Sequence, residues 1–274
     1  MNISAKVIED SISSYGKRIT TLQITLPKVL LAEFNTHRVF SRSFSSSRAI
    51  PTSKLANQDH FEPLFWGENQ AGMQSRGNEI SDVETAKKIW NDAVEYSRKA
   101  SEQLSALGLH KQWANRLNDW HIVANGIVTS TEWDNFFELR AHPDAQPEIQ
   151  CLAVAMKNAM AASVPTLLRD DEWHLPYVHI EERSDSFFTK PENRLILQKI
   201  SAARCCRVSY NKHDGGIPSI KEDIALFERL AAARPAHLSP LEHQATPLGR
   251  TGDVNTQGNF KGWTQFRKIW EQVI

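Results

Sequence analysis

Between Ser81 and Leu107 the apolar residues Ala86, Ile89, Trp90, Ala93, Tyr96, Ala100 and Leu104 recur at intervals of three and four, the period of one helix face. That spacing fixes one long helix and predicts that its stripe is core. Other helices are expected over 110–118, 131–140 and 145–163, where Pro147 suits a first turn and Ile149, Leu152, Ala153 and Met156 share a face. Further helices are expected over 220–233, ending before Arg234 and Pro235, and near 260–272 around Trp263, Phe266 and Trp270. Residues 18–32 begin with strand-like alternation and turn helical after Pro27, with the apolar run ending near Phe34. Residues 50–80 carry Pro51, Pro63, Gly67 and Gly72 and read as a surface loop, with a lid as the alternative; 165–195 reads as a connector around a short strand.

The totals narrow the function. Thirty-two basic and thirty-two acidic side chains cancel, so the molecule has no overall charge with which to hold a nucleic acid. A single-strand module built on Arg38, Arg42 and nearby phenylalanines would also need a repeated aromatic platform, which the chain lacks. The three cysteines, Cys151, Cys205 and Cys206, suit neither a disulfide framework nor paired zinc ligands. The first residues hold no apolar run of signal-peptide length, and no stretch is long enough to span a bilayer, so a reducing cytoplasm is expected and no membrane partner.

Chemistry concentrates in three segments. Residues 36–48, THRVFSRSFSSSR, hold His37, three arginines and six hydroxyls without an acid, the composition of an anion cradle. Val39, Phe40, Phe44 and Ile50 supply apolar anchors that a solvated serine linker lacks. In NFFELRAHPDAQPEI, residues 135–149, Arg140 lies between an aromatic helix and the start of the next, placed either to grip a planar ligand or to form a buried salt bridge. In AHLSPLEHQATP, residues 236–247, His237, Ser239, Glu242 and His243 crowd together. His237 and His243 lie six apart with Pro240 between them, which is not helical zinc spacing. No GxSxG elbow, P-loop or GxGxxG turn is present, so hard chemistry would come from a bound cofactor.

Together these segments resemble the flavin-dependent thymidylate synthases. That family carries an Arg-His-Arg triplet, seven residues and a serine; here Thr36, His37 and Arg38 precede VFSRSFS and Ser46. LRAHPDAQPEI, Leu139 to Ile149, is similar to the family's leucine-arginine segment ending AQxEI. AARCCRVSY, 202–210, and HLSPLEH, 237–243, are similar to segments that the family carries at its front. The order implies a circular permutation: one domain over 1–274, with 18–165 resembling the back of the family pattern and 200–247 its front.

The resemblance implies a mixed α+β fold, a helical core with a flanking antiparallel or mixed sheet. It also implies a homotetramer with shared active sites. His37, Arg38, Val39, Asn135, Ser209, His237, Ser239 and Glu242 correspond to flavin contacts. Phe44, Ser45, Ser46, Ser47 and Arg48 correspond to the loop that holds the nucleotide, Arg116 to a further nucleotide contact, and Arg140 to the arginine on the pyrimidine base. Arg140 and Ser46 are the expected catalytic residues. The implied reaction is reductive methylation of deoxyuridine monophosphate, with the carbon from methylenetetrahydrofolate, hydride from reduced FAD and reducing power from NADPH, and no metal. Thr36, Phe44 and Ala49 depart from the family's usual arginine, glutamate and tyrosine. The expected partner is a pyrimidine deoxynucleoside monophosphate, but these changes leave open another pyrimidine nucleotide, a hydroxymethyl product, or a non-catalytic flavin- or nucleotide-binding relative.

Overall fold

A computed structural model describes residues 3–75, 77–188, 190, 193, 195–209 and 218–274 of the chain. Strands β1 (Ser4–Ser13) and β2 (Arg18–Pro27) form an antiparallel hairpin whose turn places Gly16 at a φ of 76°, where a side chain would be strained. With β3 (Ser41–Phe44), β4 (Val123–Ser130) and β5 (Thr166–Leu168) they make a mixed sheet in the order β3-β4-β2-β1-β5, only β1 and β5 being parallel. A two-stranded ribbon, β6 (Ala245–Pro247) with β7 (Trp263–Gln265), stands apart. The helices are α1 (Leu31–Asn35), α2 (Thr52–Ala56), α3 (Val83–Ala106), α4 (Lys111–Ala114), α5 (Asp134–Arg140), α6 (Pro147–Ala161), α7 (Ile180–Ser184), α8 (Ile196–Ser209), α9 (Ile220–Ala231) and α10 (Phe266–Trp270). The fold is mixed α+β, as the resemblance implies.

Alternation along the strands gives the sheet two unlike faces. Leu22, Ile24, Leu26, Ala124 and Val128 point one way and bury against Phe34 of α1, Phe136 of α5 and Ile149, Leu152 and Met156 of α6. Each such side chain contributes about 1.5–3 kcal/mol when taken out of water. The opposite face is polar: Ser11, Thr21, Thr129, Ser41 and Ser43 face the segments around His174 and 239–247, with α8 packed over β3 and β4.

Pro147 opens α6 as its spacing predicts, and Ser219 and Glu222 cap α9 reciprocally. The helix expected over 110–118 divides into α4 and a tighter turn at 115–118, and the last helix is shortened to α10 by β7. The connector after Pro165 contains a short strand, β5, as expected, and also α7, and its His174 bridges Ala245.

The prediction for the long helix needs one correction. α3 forms as expected, but its buried side is Trp90, Val94, Ser97 and Ser101, whereas Ile89 is 63% and Tyr96 76% exposed. Packing here follows the indoles: Trp90 stacks edgewise on Phe61, Trp66 and Trp120, and Trp120 Nε1 donates to Ser97 Oγ at 3.1 Å. Small serines on that side let the 118–122 segment approach, which turns the apolar stripe toward solvent. His60, Phe61 and Trp66 lie against this side of α3, in a segment pinned by bridges His60 to Ile122 and Gly67 to Glu79.

Candidate functional site

The THRVFSRSFSSSR segment runs from the end of α1 through β3 into a turn at 47–49. Thr36 finishes α1 by donating its hydroxyl to Glu33 O at 2.6 Å. Arg42 binds the turn itself: Nε donates to Asn35 Oδ1 at 2.6 Å, and its terminal nitrogens donate to the carbonyls of Asn35, His37 and Phe40. Its guanidinium therefore shapes the cradle, while Arg38 and Arg48 stay exposed, Arg48 with Nε near Ser46 Oγ.

His37 is held on three sides. Its ring stacks on Phe40 at 5.8 Å and meets Phe136 edgewise at 4.9 Å, and its Nε2 accepts from Arg140 Nε at 3.1 Å. Burial, then the Arg140 and Arg42 charges, hold its pKa below the ordinary histidine value, so the ring is neutral at physiological pH. Arg140 ends α5, half-exposed, and its two terminal nitrogens have no partner among the described residues. Asn135 is exposed on the same helix, and Val39 is exposed in the turn, its carbonyl accepting from Ser130 Oγ.

Phe44 closes the strand by packing on Gly126 of β4, where an added Cβ would lie 2.1 Å from the ring, and edgewise on Phe34 at 5.7 Å. Ser45 locks to Asn125 through paired backbone and hydroxyl bonds. Ser47 is buried: its hydroxyl takes a bond from Lys28 Nζ at 3.0 Å and its carbonyl one from Asn115 Nδ2 at 2.8 Å. Lys28 also pairs with Asp119, as does Arg116 at 2.7 Å, so Arg116 and Ser47 belong to one network. Ala49 O accepts from Lys111 Nζ.

The HLSPLEH strip lies along the other side of β3. Glu242 forms an ion pair with Arg267 and sits within electrostatic reach of Arg42, while His237 and Ser239 are exposed. His243 Nε2 bonds Ser43 Oγ at 3.1 Å and Nδ1 bonds Thr129 Oγ1 at 2.9 Å. With both ring nitrogens occupied, and burial driving its pKa down to about 3, this histidine is a neutral strut. Among the described residues no cluster of three or more His, Cys, Asp or Glu is placed to hold a metal. The Ser209 side chain lies outside the described residues.

Sequence reasoning missed the continuation of this strut. Thr129 Oγ1 meets Thr21 Oγ1 at 2.7 Å, Thr21 meets His174 Nε2 at 2.8 Å, and His174 Nδ1 meets Ser11 Oγ at 2.9 Å. A buried hydrogen-bonded chain thus crosses four strands. The hydroxyls at alternate strand positions were its signal, but nothing local marks His174 as their partner.

β3 therefore has His37 and Arg140 at one flank and Glu242 and His243 at the other: the three segments converge. The sequence model of a family described as thymidylate synthase complementing protein matches residues 18–166. The chain belongs to that family, the flavin-dependent thymidylate synthases. The matched region holds the THRVFSRSFSSSR and LRAHPDAQPEI segments, the His37–Arg140 bond and three of the five sheet strands, β2, β3 and β4. No curated protein sequence matches the chain. Among solved structures, a UMP/dUMP methylase PolB from Streptomyces cacaoi bound with 5-Br dUMP is similar at 15% identity, covering 58% of this chain and 90% of its own, with a TM-score of 0.50. The same methylase bound with 5-Br UMP gives 16% identity, 58% and 89% coverage and a TM-score of 0.47. At that identity the likeness speaks to fold.

In this family member two clefts lie away from the convergence. One of about 890 Å³ lies between residues 57–66 and α3, and one of about 970 Å³ lies beside Asp170, Trp173 and Arg183; neither is lined by His37, Arg140 or Glu242. The unpaired guanidinium and the family segments are at β3. Burial raises the Cys205 thiol strongly and Cys206 to about 11, so neither presents a thiolate. Among the described residues no helix is long and apolar enough to cross a membrane.

Proposed function

We propose that this protein carries out reductive C5 methylation of a pyrimidine deoxynucleoside monophosphate, with deoxyuridine monophosphate as substrate, methylenetetrahydrofolate as carbon donor and FAD and NADPH as the redox pair. The observation that carries this is Arg140: His37 fixes its Nε, and its terminal nitrogens have no partner among the described residues, beside the turn that leads into β3. Such a fork suits a uracil-like edge whose oxygens gain negative charge as C5 becomes nucleophilic.

The donor set fits a flavin. His37 backed by Phe40 and Phe136 offers an aromatic edge, and the family pattern would add Arg38, Val39, Asn135, Ser209, His237, Ser239 and Glu242 as flavin contacts. When bound, reduced flavin supplies the hydride. Arg140 orients the base, Ser45 and Arg48 present donors to the phosphate, Ser46 is the serine that acts at the reacting ring in this reading, and neutral His37 keeps the Arg140 plane fixed. Phe44, Ser47 and Arg116 brace that loop. Burial holds Cys205 and Cys206 as thiols, and the flavin route needs no cysteine nucleophile for the addition.

The face is open, with Arg38, Arg48, Asn135 and His237 all exposed. A second copy of the chain would supply the missing wall, in keeping with shared sites in a homotetramer. The polypeptide order is that of a circularly permuted single domain, supported by HLSPLEH lying beside β3 although it follows it by some two hundred residues.

A second reading is favoured by Phe44 in place of an acidic residue and by the dual substrates named for the Streptomyces methylase: uridine monophosphate, or a hydroxymethyl product. Incubating the flavin-loaded, reduced protein with methylenetetrahydrofolate and each pyrimidine monophosphate, with product masses read, decides among these. Bound flavin without any conversion would reduce the protein to a binder.

A further inference from the structure

We propose that the outer face of α3 is a self-complementary seam that pairs antiparallel with α3 of a second copy of this chain. The seam deepens the self-association read above and rests on that reading only in needing an assembly to exist.

α3 is 24 residues long, about 36 Å at helical rise. Its inward face, with Val94 and Ser101 fully buried, anchors it to the body of the protein. Outward, Ala86, Ile89, Ala93, Tyr96, Ala100 and Gln103 recur at alternating steps of three and four, the spacing of a seam between two helices. Ile89 and Tyr96 are mostly exposed, as are Ala93 and Gln103. The order along the seam alternates small and large.

That alternation selects the occupant and its direction. A twofold axis that sets Ala93 against the partner's Tyr96 also sets Ala100 against the partner's Ile89 and Ala86 against the partner's Gln103. Every alanine then meets a large side chain, the pattern that fills space between facing helices. The same axis brings Val83 opposite the partner's Ala106, so the two helices overlap over their whole length and their dipoles oppose. A parallel pair would instead stack alanine on alanine and Tyr96 on the partner's Tyr96.

Charge agrees with the antiparallel register. On one flank of the seam, Asp92 and Lys99 stand seven residues apart, and the axis places Asp92 beside the partner's Lys99 and Lys99 beside the partner's Asp92. Within the chain Asp92 has only the exposed Lys88 at 3.4 Å, and Lys99 has no ion-pair partner among the described residues. Glu95 and Glu102, which lie beyond Asp92 and Lys99 on the same side of the seam, disfavour an anionic lipid surface, which would select a basic border.

Sedimentation equilibrium on the full-length protein tests the seam. Wild type is expected to associate, Ala93→Glu to weaken association by about tenfold or more, giving a smaller species, and both to keep the wild-type far-UV spectrum because the position is exposed. Asp92→Lys and Lys99→Asp alone should each weaken association several-fold. The double variant, or an equimolar mixture of the two single variants, should recover it, since either restores both cross-pairs. A wild-type monomer would end both the seam and the shared-assembly reading. An assembly unmoved by Ala93→Glu would leave self-association standing and overturn the seam, and charge variants that fail to rescue one another would overturn the antiparallel register.

Discussion

Arg140 donates through Nε to His37 Nε2 at 3.1 Å, tying the end of α5 to the turn before β3. A guanidinium can only donate, so His37 accepts there and carries its proton on Nδ1. The bond leaves the Arg140 fork oriented and free.

Removing that fork should therefore act on chemistry far more than on folding. Arg140→Ala is expected to lower kcat/KM for the methylation by about 10²-fold or more, with thermal stability little changed because the side chain is half-exposed. The same variant removes a neighbouring positive charge, so the His37 pKa should rise, as followed by its ring resonances in an NMR titration. A conversion rate equal to wild type would take Arg140 out of the mechanism.

Acid should weaken the fold through histidines held neutral. Burial depresses His243 to about 3, and burial followed by the Arg98 charge depresses His121 to about 4, both from 6.5. In the folded state these rings stay unprotonated while the unfolded chain takes up protons, so their stabilisation is complete above pH 6.5 and declines as pH falls toward 4. Each contributes a slope of about 1.4 kcal/mol per pH unit within that window. Urea unfolding at pH 7 and pH 5 reads the loss, and His243→Gln should flatten the slope even where it lowers stability at neutral pH.

Thr129→Val tests the buried chain at its middle. The swap keeps shape and removes the hydroxyl that joins Thr21 to His243. Leaving those partners unsatisfied should cost about 1–3 kcal/mol in urea unfolding. A loss within about 0.5 kcal/mol, the range of a neutral surface change, would mean that the two partners find other bonds.

Gly126→Ala tests the contact that replaces the family's acidic residue. The new methyl would meet the Phe44 ring, and overpacking of this kind costs about 1–3 kcal/mol. Pairing it with Phe44→Leu should recover part of the loss, whereas additive losses would show that the ring is not what the methyl meets.

Motifs with chemical composition were legible in the sequence, and so were the strong periodicities. Leu22, Ile24 and Leu26 alternate within Arg18–Pro27, which is a strand; Pro147 marks the start of α6; and the family order pointed the THRVFSRSFSSSR, LRAHPDAQPEI and HLSPLEH segments to one place. β3 was hidden because its Ser41, Arg42 and Ser43 read as a basic loop, and β4 because VANGIVTS carries a glycine that exists to admit Phe44. The periodicity of α3 gave its extent but not its buried side, since the inward face uses Ser97 and Ser101 while apolar residues face out. Binary pattern assumes that apolar means core, and an association surface breaks that assumption.

The hydroxyls of Ser43, Thr129, Thr21 and Ser11 sit within or just beside the stretch shared with the family, whereas the imidazoles that satisfy them, His174 and His243, come from beyond it. Cutting the polypeptide after residue 166 would strip that layer away and leave a row of alcohols facing nothing on an otherwise shielded sheet. The homologous stretch is thus half of a laminate, and its companion half must be synthesised before the sheet can close.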